Sequence, residues 1–130
     1  MLTDYGANLM LDYFFGNRKM DDIPNIYFGL SCRPMGKAAF PDEPTNIGYE
    51  RVKVKNTYDN FPRAIGGIKS HCNKIVFKHM IGQCVVRAIF ISLAPSGSSK
   101  IIATCNLNAP KVVVESDCFL LPGTFSFVID

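Results

Sequence analysis

One short region of this 130-residue sequence holds residue types that could bind a metal ion. His71, Cys72, His79 and Cys84 lie close together in the chain, and imidazole and thiolate groups are common zinc ligands. Their spacing is irregular, however. If residues 75–79 form a regular strand, the two histidines lie on the face opposite Cys72, so one ion would have to be reached from both sides of a sheet. We therefore predict no metal site and no other cofactor.

The same residues offer a cysteine nucleophile with a histidine base, Cys72 or Cys84 with His71 or His79. Such catalysis needs a base that is itself oriented by a third group. Nothing in the sequence near these residues indicates that group, and nothing there would activate a thiol.

Acidic pairs and glycine-rich turns give no stronger indication of catalysis. Asp21–Asp22 and Asp42–Glu43 fall in predicted loops, where adjacent charges are usually solvated. Gly66–Gly67 with Lys69 lacks the spacing and the hydroxyl residue of a phosphate-binding loop. We predict that the chain is not an enzyme.

The elements that would position any site are mostly strands, and the central one is predicted at Cys84–Leu93. This run is rich in β-branched and aromatic residues and is followed by the turn-forming segment 95–99. It is too short to cross a bilayer as a helix, which takes about 20 residues. A second apolar run at 100–107 completes a predicted hairpin. In its simple register the residues that share one face are Ile89, Ile91, Leu93, Ile101, Ala103, Cys105 and Leu107.

Both faces of the central strand are apolar, so both should be covered. Alternation places Cys84 and Val86 with Ala88 and Phe90 on the second face. We predict that the N-terminal helix or a neighbouring subunit covers it.

A helix and a long loop precede the central strand. Residues 3–15 are predicted to form a short amphipathic helix, capped by Thr3 or Asp4 and ended by Gly16–Asn17. Residues 32–48 contain several prolines and glycines and little periodicity. A loop of that length usually has a purpose, and we interpret it as a contact arm or a lid.

Residues 49–55 alternate between polar and apolar side chains. The pattern predicts a strand with Tyr49, Arg51, Lys53 and Lys55 on a basic outer face. Further strands are predicted from 26–31 and 75–79, and after a break at 108–110 from 112–114, 118–121 and 124–129. With one helix in front, seven or eight short strands predict one mainly β domain over residues 1–130, an antiparallel β-sandwich of jelly-roll type.

The charge of the chain is unevenly distributed. The net charge is +3, yet eight of the fourteen basic residues lie between Arg51 and Arg87, where Asp59 is the only acid. A basic sheet face can bind nucleic acid, but base stacking needs aromatic side chains, and only Tyr49 and Tyr58 are available. A solvated face, or one complementary to an acidic protein, fits better. No signal peptide is indicated.

Three segments together resemble the small virion proteins of tailed bacteriophages. Those proteins open with a D-Y-x-x-N-x-x-L-D helix, continue with a Y-x-x-L strand and follow it with a G-Y-x-R-x-x-V strand. The matching residues here are Asp4, Tyr5, Asn8, Leu11, Asp12, Tyr27, Leu30, Gly48, Tyr49, Arg51 and Val54. The similarity extends over nearly the whole chain, through Leu107, Pro110, Val113 and Phe119, and brings no catalytic residues with it.

The resemblance implies a non-enzymatic virion protein that binds other structural subunits, including copies of itself. A capsid decoration or linking protein is the first interpretation, and a tail or tail-fibre attachment component is the second. A glycan- or nucleic-acid-binding module is the alternative of another class. Neither a membrane nor nucleic acid is the expected partner, and the expected location is the virion, assembled in the bacterial cytoplasm. The subunit-contact candidates are Tyr5, Leu9, Tyr13, Met35, Phe40, Arg51, Lys53 and Lys55.

Five cysteines set this chain apart from that family, which usually lacks them. Buried free thiols are one interpretation. Against the resemblance, we expect at least one disulfide in the mature particle, within or between chains. The candidates are Cys32, Cys72, Cys84 and Cys118.

Overall fold

The computed structural model describes residues 1–17, 19, 21–45, 47–78, 80–114, 118–120 and 126–128, with the backbone alone from residue 114 onward. It contains one helix, α1 (Asp4–Phe14). The strands are β1 (Asn25–Ser31), β2 (Val52–Lys55), β3 (Ile68–Ser70), β4 (Ile75–Phe77), β5 (Gln83–Ser92), β6 (Ile101–Val114), β7 (Cys118–Leu120) and β8 (Ser126–Val128).

The strands form one larger sheet and two small pairs. The sheet has four antiparallel strands in the order β2-β1-β5-β6, and the pairs are β3–β8 and β4–β7. The predicted mainly β, antiparallel fold with one short N-terminal helix is confirmed. No helix in the described part of the chain is long and apolar enough to cross a membrane.

Helix α1 begins and ends at the residues that the sequence indicates. Thr3 has extended backbone angles, and its hydroxyl accepts a hydrogen bond from the Gly6 amide at 3.0 Å. This contact satisfies one of the amides that a helix start leaves without a partner. Gly16 and Asn17 then take positive φ angles and end the helix.

The segment before α1 fixes the helix to the edge of the sheet. Leu2 pairs with Ala103 in an antiparallel bridge, and the Thr3 amide donates to the Ile102 carbonyl at 3.0 Å. The helix backbone then passes so close to β6 that a Cβ added at Gly6 would lie 2.2 Å from the Ile102 oxygen. Only glycine permits this approach.

Strand β5 is the centre of the sheet, as predicted. It pairs with β1 on one side and β6 on the other. The predicted hairpin register is confirmed at Ile89, which lies opposite Cys105, and at Ile91, which lies opposite Ala103. It is wrong at Ile101, because a register shift pairs this residue with Ser92 and places it with Phe90 on the second face. The main buried cluster forms on this face and includes Phe28 and Leu30 of β1.

A bulge at Arg87 corrects two predictions. Val86 pairs with Lys111 while Ala88 pairs with Asn106, so four residues of β6, 107–110, lie opposite one residue of β5. The predicted break at 108–110 is therefore a bulge inside the single strand β6, where a proline removes no ladder hydrogen bond. The bulge also shifts the alternation, and Cys84 and Val86 join the main cluster instead of the second face.

The second face of β5 is covered by the chain's own residues 32–48, which we call the arm. Met35 and Ala39 pack there with Ala88, Phe90 and Ile101. The prediction that the helix or another subunit covers this face is wrong. The arm reaches it because Gly29 lies opposite Phe90 and carries no side chain, so the Phe90 ring lies flat across β1.

Strand β2 is shorter than the predicted strand at 49–55. Lys53 and Lys55 are exposed and alternate with half-buried valines, as predicted. Tyr49 and Arg51 instead precede the strand; Tyr49 is half-buried and Arg51 is buried. Their place on a basic outer face is therefore wrong, because the arm supplies a partner that draws both side chains inward.

Replacing Gly6 by alanine tests the contact between helix and sheet. An exposed helical glycine normally gains about 1 kcal/mol of stability on such a change. Here the new methyl would meet the Ile102 carbonyl, and we expect Gly6→Ala to lower the free energy of unfolding by about 1–3 kcal/mol. Urea denaturation measures the change. Gly36→Ala is the matched control, since nothing lies within 4 Å of its added Cβ. If Gly6→Ala instead raises the free energy of unfolding, the close approach of the helix backbone to the Ile102 carbonyl is contradicted.

Candidate functional site

The structure does not bring His71, Cys72 and Cys84 together into a metal or nucleophile site. The fourth residue of that group, His79, lies outside the described residues. The buried His71 ring donates from Nδ1 to the Asn73 carbonyl at 2.9 Å, and Cys72 donates to the Asp59 carbonyl. Cys84 contacts Cys32 instead. Among the described residues no group of three His, Cys, Asp or Glu side chains could hold a metal ion.

A buried ion pair is the most highly connected polar group among the described side chains. The Arg51 side chain is 2% exposed and the Glu43 side chain 29%. Arg51 Nε donates to Glu43 Oε1 at 2.8 Å and its Nη2 to Oε2 at 3.1 Å. This two-point geometry is the strongest that an arginine and a carboxylate can make.

The remaining donors of Arg51 reach the loop between β5 and β6. Nη1 donates to the Ala94 carbonyl at 3.0 Å and Nη2 to the Gly97 carbonyl at 2.6 Å. The guanidinium also lies 4.8 Å from the centre of the Phe90 ring, where the ring face attracts a cation. One side chain thus joins the arm, the hairpin loop and the central strand.

Tyr49 extends the ion pair towards β1. Its hydroxyl donates to Glu43 Oε1 at 2.8 Å and accepts from the Leu30 amide at 3.1 Å. Burial raises the pKa of Tyr49 well above its ordinary value, and the neighbouring Glu43 carboxylate adds to the rise, because ionisation would place a second negative charge beside the first.

The arm has further attachments. The Asn106 side chain accepts from the Met35 amide at 2.8 Å and donates to the Met35 carbonyl at 3.0 Å. The Asp42 amide donates to Ser31 Oγ at 3.1 Å, and the Cys32 amide to the Asp42 carbonyl at 2.7 Å. These contacts hold the arm as a fixed cover on the sheet.

A groove of about 510 Å³ lies beside β2. Lys53 and Lys78 are exposed there, together with the carboxylate of Glu50. Arg51 also lines the groove, but Glu43 matches its charge. The predicted basic face is therefore reduced to a few lysines, with one acid among them. The lining residues are Tyr27, Glu50, Arg51, Val52, Lys53, Val76, Lys78 and Pro95.

The end of helix α1 exposes a group of apolar side chains. Leu11 is 55% exposed, Phe14 66% and Phe15 80%. Tyr13 is also exposed, and its ring meets that of Phe14 edge-on at 5.5 Å. We call these four residues the helix-end cluster. Within α1 itself Gly6 is the one buried residue, so most of the helix is left facing outward.

Other subunit-contact candidates are divided between surface and interior. Phe40 is exposed, while Met35 and Arg51 are buried within the chain itself. Tyr5 and Leu9 line a cavity of about 180 Å³ beside residues 21–25. The contact role of the exposed candidates stays a prediction. The side chain of Cys118 lies outside the described residues.

Sequence reasoning missed Glu43 and most of the helix-end cluster. Glu43 was interpreted as a solvated loop acid, and no local pattern connects it with Arg51. Phe14 and Phe15 did give a signal, since these two aromatic residues at the predicted helix end lie outside the apolar stripe of Tyr5, Leu9 and Tyr13.

No protein-family model matches the chain, and no curated protein matches it.

Removing Glu43 tests the ion pair. Glu43→Ala leaves the Arg51 charge buried with carbonyl partners alone, and we expect the free energy of unfolding to fall by about 2–4 kcal/mol. Urea denaturation followed by circular dichroism gives the value. Glu50→Ala removes an exposed carboxylate from the same stretch and should change stability by less than about 0.5 kcal/mol. Equal losses in the two variants would refute the pairing.

The raised pKa of Tyr49 predicts a loss of stability in alkali. The contribution of the Tyr49 hydroxyl to the free energy of unfolding is fully present below the pKa of about 10 that tyrosine has in the unfolded chain. It is lost as the pH rises above that value, because only the unfolded chain releases the hydroxyl proton readily. Between pH 8 and pH 11 the loss from this group is about 1.4 kcal/mol. Between these pH values the free energy of unfolding of Tyr49→Phe should fall by about 1.4 kcal/mol less than that of the unaltered protein. Tyr13→Phe, which changes an exposed tyrosine, should show the same fall as the unaltered protein. The two variants are compared by urea denaturation at both pH values.

Proposed function

We propose that this chain is a non-enzymatic structural protein of tailed-bacteriophage virions, and that it binds neighbouring capsid subunits as a decoration or linking protein. The observation that carries the proposal is the helix-end cluster. Leu11 and Phe14 of α1, and Phe15 directly after it, are each more than half exposed. Exposed apolar groups of this kind mark protein–protein contacts. The sequence resemblance supplies the class of partner.

The fold within this proposal is an antiparallel β-sandwich of jelly-roll type. Ile75 and Phe77 of β4 lie in the same buried cluster as Phe28 and Ile89 of the four-stranded sheet. This contact supports a second layer built on the strand pair β4–β7. The second face of the sheet, covered by the arm, would then face outward in the particle.

Attachment to the tail or to a tail fibre is the alternative within the same class. Both versions place the protein in virions assembled in the bacterial cytoplasm, next to other structural subunits and copies of itself. Mass spectrometry of density-banded virions should find the chain in a fixed ratio to the major capsid protein. Reconstruction of the particle then separates capsid from tail, and absence from purified virions contradicts both.

The helix-end cluster can be tested in the same particles. We expect the triple variant Leu11→Ser, Phe14→Ser, Phe15→Ser to enter virions at least tenfold less, since buried aromatic contacts contribute about 2 kcal/mol or more each. Ile65→Ser is the control, because it removes another exposed apolar side chain and should leave incorporation unchanged. Circular dichroism verifies folding. Normal incorporation of the triple variant rules out this surface as the contact.

One observation favours the alternative of another class, a glycan- or nucleic-acid-binding module. The exposed Tyr58 ring has Arg63 4.6 Å and Lys69 5.0 Å from its centre. Single-stranded nucleic acids are bound by this combination of an exposed aromatic ring and neighbouring cations.

Anisotropy of a labelled single-stranded oligonucleotide at 50 and 300 mM salt tests this alternative. Binding through phosphates weakens steeply with salt, and Tyr58→Ala should then lose about tenfold in affinity, with Tyr13→Ala unchanged. If added protein does not change the anisotropy of the oligonucleotide at either salt concentration, the chain is not a nucleic-acid-binding module.

A further inference from the structure

Two of the cysteine thiols are in contact. Cys32 Sγ and Cys84 Sγ lie 3.4 Å apart, although the residues are 52 positions apart in the sequence. Both residues belong to or pack against the main buried cluster, Cys84 buried and Cys32 half-buried. The other two cysteines with described side chains, Cys72 and Cys105, instead donate to main-chain oxygens.

The fold brings the pair together by two independent features. Strand β1 ends at Ser31, opposite Ala88 of β5, so Cys32 emerges beside the earlier half of that strand. The bulge at Arg87 then places Cys84 in the main cluster. Strict alternation of side chains along β5 would have placed it on the opposite face, with Ala88 and Phe90.

The main chain of Cys32 is fixed by contacts that do not involve its thiol. Its amide donates to the Asp42 carbonyl at 2.7 Å, and its carbonyl accepts from Arg87 Nη1 at 2.9 Å. A disulfide has an S–S distance of about 2.05 Å, so bonding requires the two sulfurs to approach by about 1.4 Å. Side-chain rotation can supply much of that movement while the main-chain contacts stay in place.

We propose that Cys32 and Cys84 are an oxidisable pair, at which a small-molecule disulfide forms an intrachain bond. The more accessible Cys32 thiolate attacks one sulfur of the reagent and releases its other half as a thiol. The Cys84 thiolate then attacks Cys32 Sγ in the mixed disulfide and releases the second half. Two protein thiols are oxidised and one reagent disulfide is reduced to two thiols, which take up the two protons that the protein thiols lose. The inference does not depend on the proposed function.

The bond would fasten the first residue of the arm to the start of the central strand. It closes a long loop and so removes conformational freedom from the unfolded chain. The arm, already held by Glu43 and Asn106, would gain a covalent attachment at its other end. We expect the melting temperature of the oxidised protein to rise by roughly 10 °C.

Titration with 5,5′-dithiobis(2-nitrobenzoic acid) tests the pair in a full-length Cys72→Ser, Cys105→Ser, Cys118→Ser background. A resolving pair releases two equivalents of thionitrobenzoate per chain and retains no adduct, and the protein mass falls by about 2 Da. Adding Cys84→Ser should give one equivalent and a stable adduct on Cys32. Adding Cys32→Ser should leave the buried Cys84 unreactive in the folded protein. A lasting adduct in the two-cysteine protein overturns the proposal.

The unmodified chain provides a second test that does not depend on the variants folding. After oxidation, peptic digestion at low pH and mass spectrometry should find residue 32 joined to residue 84, and dithiothreitol should reverse the rise in melting temperature. A link from Cys32 to any other cysteine, or disulfide-bonded dimers in non-reducing electrophoresis, contradicts an intrachain pair.

Discussion

The buried guanidinium of Arg51 is the interaction on which the arrangement of this domain depends. Moving a charge out of water costs several kcal/mol unless the charge is paired and its donors are satisfied. Here Glu43 supplies the opposite charge, Ala94 and Gly97 supply carbonyls, and Phe90 supplies a ring face. The carboxylate, the two carbonyls and the ring come from three different segments of the chain. The arm, the hairpin loop and the central strand must therefore be in place together.

This constraint explains why the arm, a long loop with little periodicity, lies fixed on the sheet. Asn106 pairs with both main-chain groups of Met35, and Met35 and Ala39 fill the space beside Phe90. The absence of a side chain at Gly29 makes room for the ring beneath them. Both faces of β5 are thus covered by residues of the same chain.

One group of exposed apolar side chains lies at the end of α1. The helix backbone approaches the main chain of β6 closely at Gly6, the one buried residue of α1. Leu11, Phe14 and Phe15 consequently extend outward. The polar side chains that hold the arm, such as Arg51, thus point into the fold. The apolar side chains of the helix-end cluster point away from it, where a neighbouring protein can contact them.

Local sequence determined α1, β5 and the pairing of Ile89 and Ile91 within the hairpin. Thr3 and Gly16–Asn17 are end signals that act within one turn, and the β-branched run at 84–93 favours a strand in any surrounding. Only the tertiary structure decided the burial of Arg51, the course of the arm and the meeting of Cys32 with Cys84. Arg51 follows an alternation that predicts exposure, and Glu43 overrides it from a loop without periodicity. The bulge at Arg87 shifts Cys84 to the other side of its strand, because extra residues in β6, far along the chain, change which side chains face the core.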